Sequence, residues 1–206
     1  MKAITKSVAP ESLLSFKNKP HNNWSDIHEP KNRHVYEDCL RTCIDDQNGL
    51  CAYTEILLNE GLRHIDHYIK RDIDNSLTFE WTNMFAAVKE DSRFGADWKD
   101  CHITVKDYNP GRKRYNNILN PIMDKMEGRF VYSADGFMQP ANDKDELAAS
   151  TIVMFNLNEA SLKSRRKSII KSVRDLMVSG LSKEDVSMYM KSSGFDSVVE
   201  YELSFW

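Results

Sequence analysis

The chain has 206 residues, of which 41% are hydrophobic and 29% charged, and its formal net charge is −3. This length suits one domain with extensions and is enough for a hydrophobic core. The negative charge argues against a protein that coats nucleic acid through its overall field, although local basic patches stay compatible with binding. The four cysteines do not form the spacing of a disulfide framework, and no run approaches the ~20 apolar residues of a membrane helix. We therefore expect a cytoplasmic protein.

Residues 1–46 are predicted to form an N-terminal helical arm. Apolar residues in HVYEDCLRTCIDDQ recur at helical spacing, and Gly49 marks the expected end of that helix. Cys39 and Cys43 lie four residues apart and share one helical face. We interpret both as small hydrophobic side chains of the core.

Residues 47–128 form the predicted core. Two short apolar segments, LCAYTEILL and LRHIDHYIKR, predict a pair of strands or near-strands. The apolar stripe in LTFEWTNMFAAVKED predicts a helix that starts near Asn83. The following segment, SRFGADWKD, is predicted to be a loop.

Residues 129–158 are predicted to contain a hairpin and a connecting segment. The hairpin pairs residues 129–132 with residues 137–138 across a turn at Asp135 and Gly136.

Residues 159–206 are predicted to form a C-terminal helical region. Asn158 is a plausible cap for its first helix, which is basic. Ser182 and Asp185 resemble a capping box at the start of another helix.

Three residues of the core have side chains that suit hydrolysis of a phosphodiester. Asp66 offers a hard oxygen ligand for Mg²⁺ or Mn²⁺. A neutral imidazole at His67 can take a proton from an attacking water. The amide of Asn83 can hold a backbone carbonyl or position the base. A second metal ligand is expected further along the chain, where His102 is the preferred candidate and Asp91 its rival.

Six segments in order resemble the HNH (ββα-metal) endonuclease superfamily, and more narrowly the PtuB type, the HNH subunit of Septu and retron-linked antiphage systems. The segments are QNGLCAYTE, HIDH, NM, CHITVK, LNPIMDKMEGRFVYSADG and TIVMFNLNEASLKSR. The resemblance covers roughly residues 24–166. It implies an α+β fold with a small ββα-metal (HNH) core and mostly helical N- and C-terminal extensions. It also implies a nuclease that acts in antiphage defence.

On this resemblance Asp66 takes the position of a metal ligand, His67 that of the general base and Asn83 that of an orienting asparagine. The implied cofactor is Mg²⁺ or Mn²⁺. The later ligand does not transfer from the family, so His102 and Asp91 both stay open. His64 is expected to support the site, or to become a ligand if the metal geometry demands one.

Many proteins of this type carry a structural zinc on four cysteines. Here Cys51 and Cys101 correspond to the first and the last of them, while Thr54 and Val88 stand at the other two positions. A structural zinc needs four closed ligands, which two thiolates cannot supply. We therefore predict that this zinc is absent and that packing around Tyr53 holds the degenerate knuckle.

The resemblance also implies partners. They are an ABC/SMC-type ATPase of the PtuA kind and, in retron systems, a reverse transcriptase with its RNA-linked DNA. The basic residues Arg112, Lys113 and Arg114 are candidates for binding nucleic acid. The sequence leaves open whether the target is DNA or RNA, including tRNA, and whether the setting is a retron or a simpler Septu system.

Two features favour an alternative: the degenerate zinc knuckle, and the second metal ligand that is still open between His102 and Asp91. In that interpretation the chain is a catalytically weakened adaptor with an HNH fold, which binds nucleic acid or the partner ATPase. A transcription factor is disfavoured by the negative charge and by the lack of a recognisable reading helix.

Overall fold

The computed structural model describes residues 1–19, 23–59, 63–89, 93–104 and 113–206. Within these ranges two pairs of short antiparallel strands are set among the helices. In chain order they are α1 (Glu11–Lys17), α2 (Arg33–Asp46), β1 (Arg63–His67), β2 (Met84–Val88), α3 (Gly95–His102), β3 (Phe130–Tyr132), β4 (Met138–Pro140), α4 (Glu146–Met154), α5 (Ala160–Val178), α6 (Lys183–Met190) and α7 (Asp196–Leu203).

Strands β1 and β2 form a two-stranded antiparallel sheet, in which Asp66 pairs with Phe85 and His67 with Met84. The predicted helix at Asn83 is therefore wrong, because a strand begins at the next residue. All five residues of β2 are buried. A fully buried strand is a continuous apolar run, which periodicity alone does not separate from a buried helix.

Of the two predicted strands or near-strands, the second contains β1, whereas residues 50–58 form an isolated bridge between Leu50 and Leu57 and no longer strand in the described part of the chain. The loop predicted after β2 is wrong. Part of the predicted loop SRFGADWKD is helix α3, whose inner face includes Ala96 and Lys99. A buried lysine interrupts the apolar period that identifies a helix. The order β1, β2, α3 is that of a ββα unit, and the assignment to the ββα-metal class stays a prediction.

The hairpin of β3 and β4 is confirmed, with Phe130 opposite Pro140 and Tyr132 opposite Met138. Its turn needs glycine at position 136, where φ is +84° and an added Cβ would lie 2.1 Å from the carbonyl oxygen of Lys163. The hairpin tip therefore lies directly against α5.

The helix caps of the C-terminal region are partly as predicted. Ser182 caps α6 by accepting a hydrogen bond of 3.1 Å from the backbone N–H of Asp185, which confirms that prediction. Asn158 does not cap α5, because the carboxylate of Glu159 accepts the N–H of Ser161 at 2.7 Å. The amide of Asn158 instead bonds both the N–H and the C=O of Met138, each at 2.8 Å.

One hydrophobic cluster extends from the N-terminal arm through the β1–β2 sheet to α7. Cys39 and Cys43 are fully buried in it, which confirms their predicted packing role. A second, smaller cluster joins α5, α6 and α7 through Val173, Val186 and Val199. The division of the chain into four segments stays a prediction. Among the helices of the described ranges, none combines the length and the apolar character needed to cross a membrane.

Candidate active site

Asp66 and His67 occupy the last two positions of β1. Successive side chains of a strand point to opposite faces, so the two groups enter different surroundings. Both side chains are almost completely buried, at 3% and 6% exposure. The strand therefore places a carboxylate on one side and an imidazole on the other.

On the first side, the carboxylate of Asp66 is engaged by the ammonium of Lys99. The nitrogen lies 3.1 Å from Oδ1 and 2.8 Å from Oδ2 of Asp66. It also donates to the carbonyl oxygens of His67 at 2.7 Å and Tyr68 at 3.1 Å. Lys99 is fully buried. The ammonium thus donates to four oxygens and lies 3.3 Å from a fifth, Oδ1 of Asp100, so that it is shared between two carboxylates.

Tyr53 completes the surroundings of Asp66 by donating its hydroxyl hydrogen to Oδ2. Burial and the nearby charge of Asp66 raise the pKa of Tyr53 well above its ordinary value, so the hydroxyl stays protonated. The ring is held by stacking on Phe155, with 4.4 Å between the centroids. Packing of Tyr53 therefore holds this part of the molecule.

On the second side, Nε2 of His67 lies 2.9 Å from the carbonyl oxygen of Thr78. A carbonyl can only accept, so Nε2 carries the proton and Nδ1 keeps its lone pair. Burial lowers the pKa of His67 to about 4. At neutral pH this imidazole is an uncharged base with a fixed tautomer. The ring of Trp24 packs against it, with 4.5 Å between centroids and an angle of 84°.

Asn83 fastens the chain that follows His67. Its amide nitrogen donates to the carbonyl oxygens of Ile69 at 3.0 Å and Leu77 at 3.3 Å. Its side-chain oxygen accepts the N–H of Ile69 at 2.8 Å. The backbone carbonyl of Asn83 accepts the N–H of Tyr68 at 2.9 Å. Asn83 therefore holds backbone carbonyls, one of the two roles predicted for it, and fixes the end of β1.

The other predicted site residues lie apart from this arrangement or make weak contacts. Nε2 of His64 is 3.9 Å from Oδ1 of Asp97, and its buried Nδ1 has no hydrogen-bond partner within the described ranges. His102 is exposed at the end of α3, where Nδ1 bonds the carbonyl oxygen of Trp98 at 2.8 Å and the ring stacks on that indole. Asp91, its rival as a metal ligand, lies outside the described residues.

A divalent cation does not fit Asp66 in this arrangement. Both carboxylate oxygens already bond Lys99, and an ion would have to displace that ammonium. Within the ranges that the structure describes, no three or more His, Cys, Asp or Glu residues come together in a group able to hold a metal. Sequence reasoning missed Lys99. The available signal was a lysine spaced at helical intervals from Ala96 and Ile103, both of which are buried.

The cysteines of the degenerate knuckle lie in different surroundings. Cys51 is buried, and its sulfur accepts a hydrogen bond of 3.4 Å from the backbone N–H of Val88. Cys101 is exposed. Of the predicted basic patch, Lys113 and Arg114 are exposed, and Arg114 donates to the carbonyl oxygen of His102. Arg112 lies outside the described residues.

A neutral, oriented imidazole next to an ion-paired aspartate defines a candidate hydrolytic site. The chain matches no known protein-family profile. It is 23% identical, over 207 aligned residues, to a protein of Escherichia coli named "Retron Ec83 putative HNH endonuclease"; the alignment covers 82% of this chain and 79% of that protein. This similarity supports an HNH endonuclease at the level of the family, and the narrower PtuB type stays a prediction.

Proposed function

We propose that the chain is an HNH-type endonuclease of a retron-linked defence system and that His67 is its general base. The observation that carries this proposal is the state of His67. Its Nε2 proton is committed to Thr78, which leaves the lone pair of Nδ1 available for a proton. The similarity to the E. coli protein supports the reaction class and the retron setting.

The reaction assigned to His67 is hydrolysis of a phosphodiester. A water oxygen forms a bond to phosphorus while His67 takes the proton from that water at Nδ1. The bond between phosphorus and the leaving oxygen breaks, and solvent protonates that oxygen. General bases contribute about 10²- to 10⁴-fold to the rate, and they contribute most when their pKa lies near the working pH. Because burial lowers the pKa of His67 to about 4, the imidazolium then returns its proton to water readily.

Asn83 supports this chemistry without touching the reacting atoms. Its bonds to Ile69 and Leu77 fix the chain just after β1 and at the residue before Thr78. Thr78 in turn sets the tautomer of His67. We therefore assign Asn83 as a positioning residue.

The replacement of His67 by Gln tests the proposal. Cleavage of labelled single-stranded DNA, duplex DNA and RNA is measured with Mg²⁺ or Mn²⁺ present, with and without an ATPase of the PtuA kind and the retron reverse transcriptase. We expect a loss of about 100-fold or more in rate. His34→Gln, a change at an exposed histidine of α2, is the matched control and should cleave as the unchanged chain does. Equal rates for His67→Gln and the control would refute the proposed role.

The predicted cofactor, Mg²⁺ or Mn²⁺ at Asp66, requires Lys99 to leave the carboxylate. The described arrangement does not fit the ion, so the chemistry above is assigned only to side chains of the protein. The absence of a structural zinc likewise stays a prediction.

The ion pair of Lys99 and Asp66 specifically favours a second candidate function. In an adaptor that binds nucleic acid or the ATPase, Asp66 has a structural role and needs no metal. Phage protection by the double variant Asp66→Asn/His67→Gln separates the two candidates. Full protection would support the adaptor, and loss of protection with a folded protein would support the nuclease.

A further inference from the structure

The surface next to His67 carries alternating aromatic and cationic side chains. We call it the Trp24 platform and define it by five residues: Trp24, His28, Arg33, Tyr36 and Arg71. They come from the short 3₁₀ helix Trp24–His28, from α2 and from the turn after β1. The hydroxyl of Tyr36 accepts the N–H of Ile65 at 3.4 Å, which fastens the platform to β1.

The members of the platform contact each other in an order that suits stacking. The guanidinium carbon of Arg71 lies 5.4 Å from the ring centroid of Trp24, and that of Arg33 lies 5.2 Å from the ring of Tyr36. The ring of His28 lies between the two aromatic residues, with its centroid 4.8 Å from Tyr36 and 5.9 Å from Trp24. These are distances at which cations and aromatic rings attract each other.

Arg71 supplies positive charge near the carboxylates of Asp72 and Asp100, which act to raise its pKa against the larger effect of burial. Within the described part of the protein, no hydrogen bond or ion pair of its guanidinium occurs, and its contact is the ring of Trp24. The neighbouring carboxylate of Asp72 is 3.9 Å from the ammonium of Lys70. Arg33, in contrast, pairs with Glu37 at 3.1 Å. An exposed arginine with no direct bond to a carboxylate in the described residues is suited to a phosphate group.

The platform lies directly beside the candidate base. The ring of Trp24 contacts His67 with 4.5 Å between centroids. The charge of Arg71 is close enough to contribute to the lowered pKa of His67. A ligand that covers Trp24 and Arg71 would therefore have its backbone next to this imidazole.

We propose that the Trp24 platform binds single-stranded nucleic acid, with a base stacked on Trp24 and a phosphate held by Arg71. The proposal rests on the proposed nuclease function and specifies its substrate class. Stacking on a protein ring requires a base that is not stacked in a duplex, whereas phosphate contacts alone do not distinguish the two forms. DNA and RNA share the chemistry that the platform recognises.

Binding is measured in the presence of EDTA, so that it does not depend on cleavage. The full chain is titrated against a short fluorescent single strand of DNA, the same sequence as RNA, and the corresponding DNA duplex, and anisotropy gives the dissociation constant. We expect a single strand to bind more tightly than the duplex. If the DNA and RNA single strands differ in affinity, the one that binds more tightly identifies the type of nucleic acid that the platform binds.

Two variants test the named contacts. Arg71→Gln should weaken single-strand binding about tenfold and reduce the slope of log affinity against log salt by about 0.7, the loss of one phosphate contact. Trp24→Leu should weaken it about tenfold through lost stacking. Arg41→Gln, a change at an exposed arginine that pairs with Asp38 at 2.6 Å, is the matched control and should bind as the unchanged chain does. Thermal melting checks the fold of each variant.

Arg71 is exposed, so its replacement tests the proposal even if Trp24→Leu does not fold. Equal affinity of Arg71→Gln and Arg41→Gln would overturn the proposal, as would preference for the duplex or no binding to any of the three. Cleavage by His67→Gln is a separate measurement. If binding depends on Trp24 and Arg71 but His67→Gln cleaves without loss, the assignment of His67 as general base would be overturned. The proposal that the platform binds a single strand would still hold.

Discussion

On one side of β1, Asp66 lies against a buried ammonium and a hydroxyl that satisfy its carboxylate. On the other side, one residue along, Nδ1 of His67 has no hydrogen-bond partner among the described residues. The imidazole packs against a partly exposed tryptophan, which an arginine contacts in turn. The two sides share a backbone and nearly equal burial. They differ in hydrogen bonding: both oxygens of Asp66 are bonded, whereas one ring nitrogen of His67 is not bonded to any described residue.

This difference separates a structural role from a chemical one. The group formed by Tyr53, Asp66 and Lys99 contributes to the fold, because loss of the ammonium would leave the carboxylate of Asp66 buried without a charged partner. The ammonium itself has a second carboxylate at 3.3 Å, that of Asp100. His67 stays neutral and retains one unused acceptor. We therefore assign the chemistry to His67, whose Nδ1 can still accept a proton.

The largest expected effect is the loss of the ammonium. Lys99→Met leaves the carboxylate of Asp66 buried with only Tyr53 as a partner, and it should lower the free energy of unfolding by about 3–5 kcal/mol. Urea denaturation measures this change. The double variant Asp66→Asn/Lys99→Met removes both charges and should recover most of the loss. A single variant as stable as the unchanged chain would show that the pair is not compensated as described.

The next effect is the pH dependence of stability on the His67 side. The pKa of His67 falls from 6.5 in the unfolded chain to about 4 in the fold, so folding favours the neutral ring. Stability from this group is complete above pH 6.5 and is lost as the pH falls toward 4, by about 3 kcal/mol.

The pH effect is measured as the difference in unfolding free energy between the unchanged chain and His67→Gln across this range. The difference removes contributions from other groups, such as Asp100, whose pKa burial raises to about 6. The cleavage rate should likewise fall only near pH 4. A fall in rate centred near 6.5 would contradict the buried, neutral state of His67.

A smaller effect is expected at Asn83. Asn83→Ala removes the side-chain bonds to Ile69 and Leu77 and leaves partly buried backbone groups without them, at a cost of about 2 kcal/mol. Chemical denaturation gives the stability, and the cleavage rate should fall without a change in the affinity for the single strand. Asn117→Ala, a change at an exposed asparagine, serves as the control. Loss of affinity in Asn83→Ala would place this residue in binding and not in positioning.

The smallest expected effect concerns a divalent cation. In Lys99→Met the carboxylate of Asp66 is released, and Mn²⁺ at about five times its dissociation constant should raise the unfolding free energy by about 1 kcal/mol. Thermal melting with and without Mn²⁺ measures this. The unchanged chain and Asp66→Asn/Lys99→Met should not respond. Stabilisation of all three proteins would mean that the ion binds at another place.

Several features of the fold follow from local signals in the sequence. The spacing of Cys39 and Cys43 identifies α2, and the turn at Gly136 identifies the β3–β4 hairpin. Ser182 identifies the start of α6 because a cap is a contact between neighbours in the sequence. The strand β2 was not identifiable in this way, since its short apolar run fits a helix equally well.

The candidate site also has a part that local sequence signals predict and a part that they do not. Asp66 and His67 are adjacent in the sequence, so their presence in one strand was predictable. The partner of Asp66 is 33 residues away, and periodicity gives no information on such contacts. The sequence predicts a loop at Lys99, because a charge on a helix normally marks its exposed face. The contact between Trp24 and His67 joins the N-terminal arm to the core and is also nonlocal.

Helix α3 links the candidate site to the segment that follows α4. Its C-terminal half carries Lys99, while its first residue, Gly95, donates its N–H to the carbonyl oxygen of Phe155 at the end of α4 at 2.8 Å. Asn156 holds the carbonyl oxygen of Arg93 just ahead of it. The backbone after α4 is therefore anchored to the start of the same helix that delivers the ammonium to Asp66.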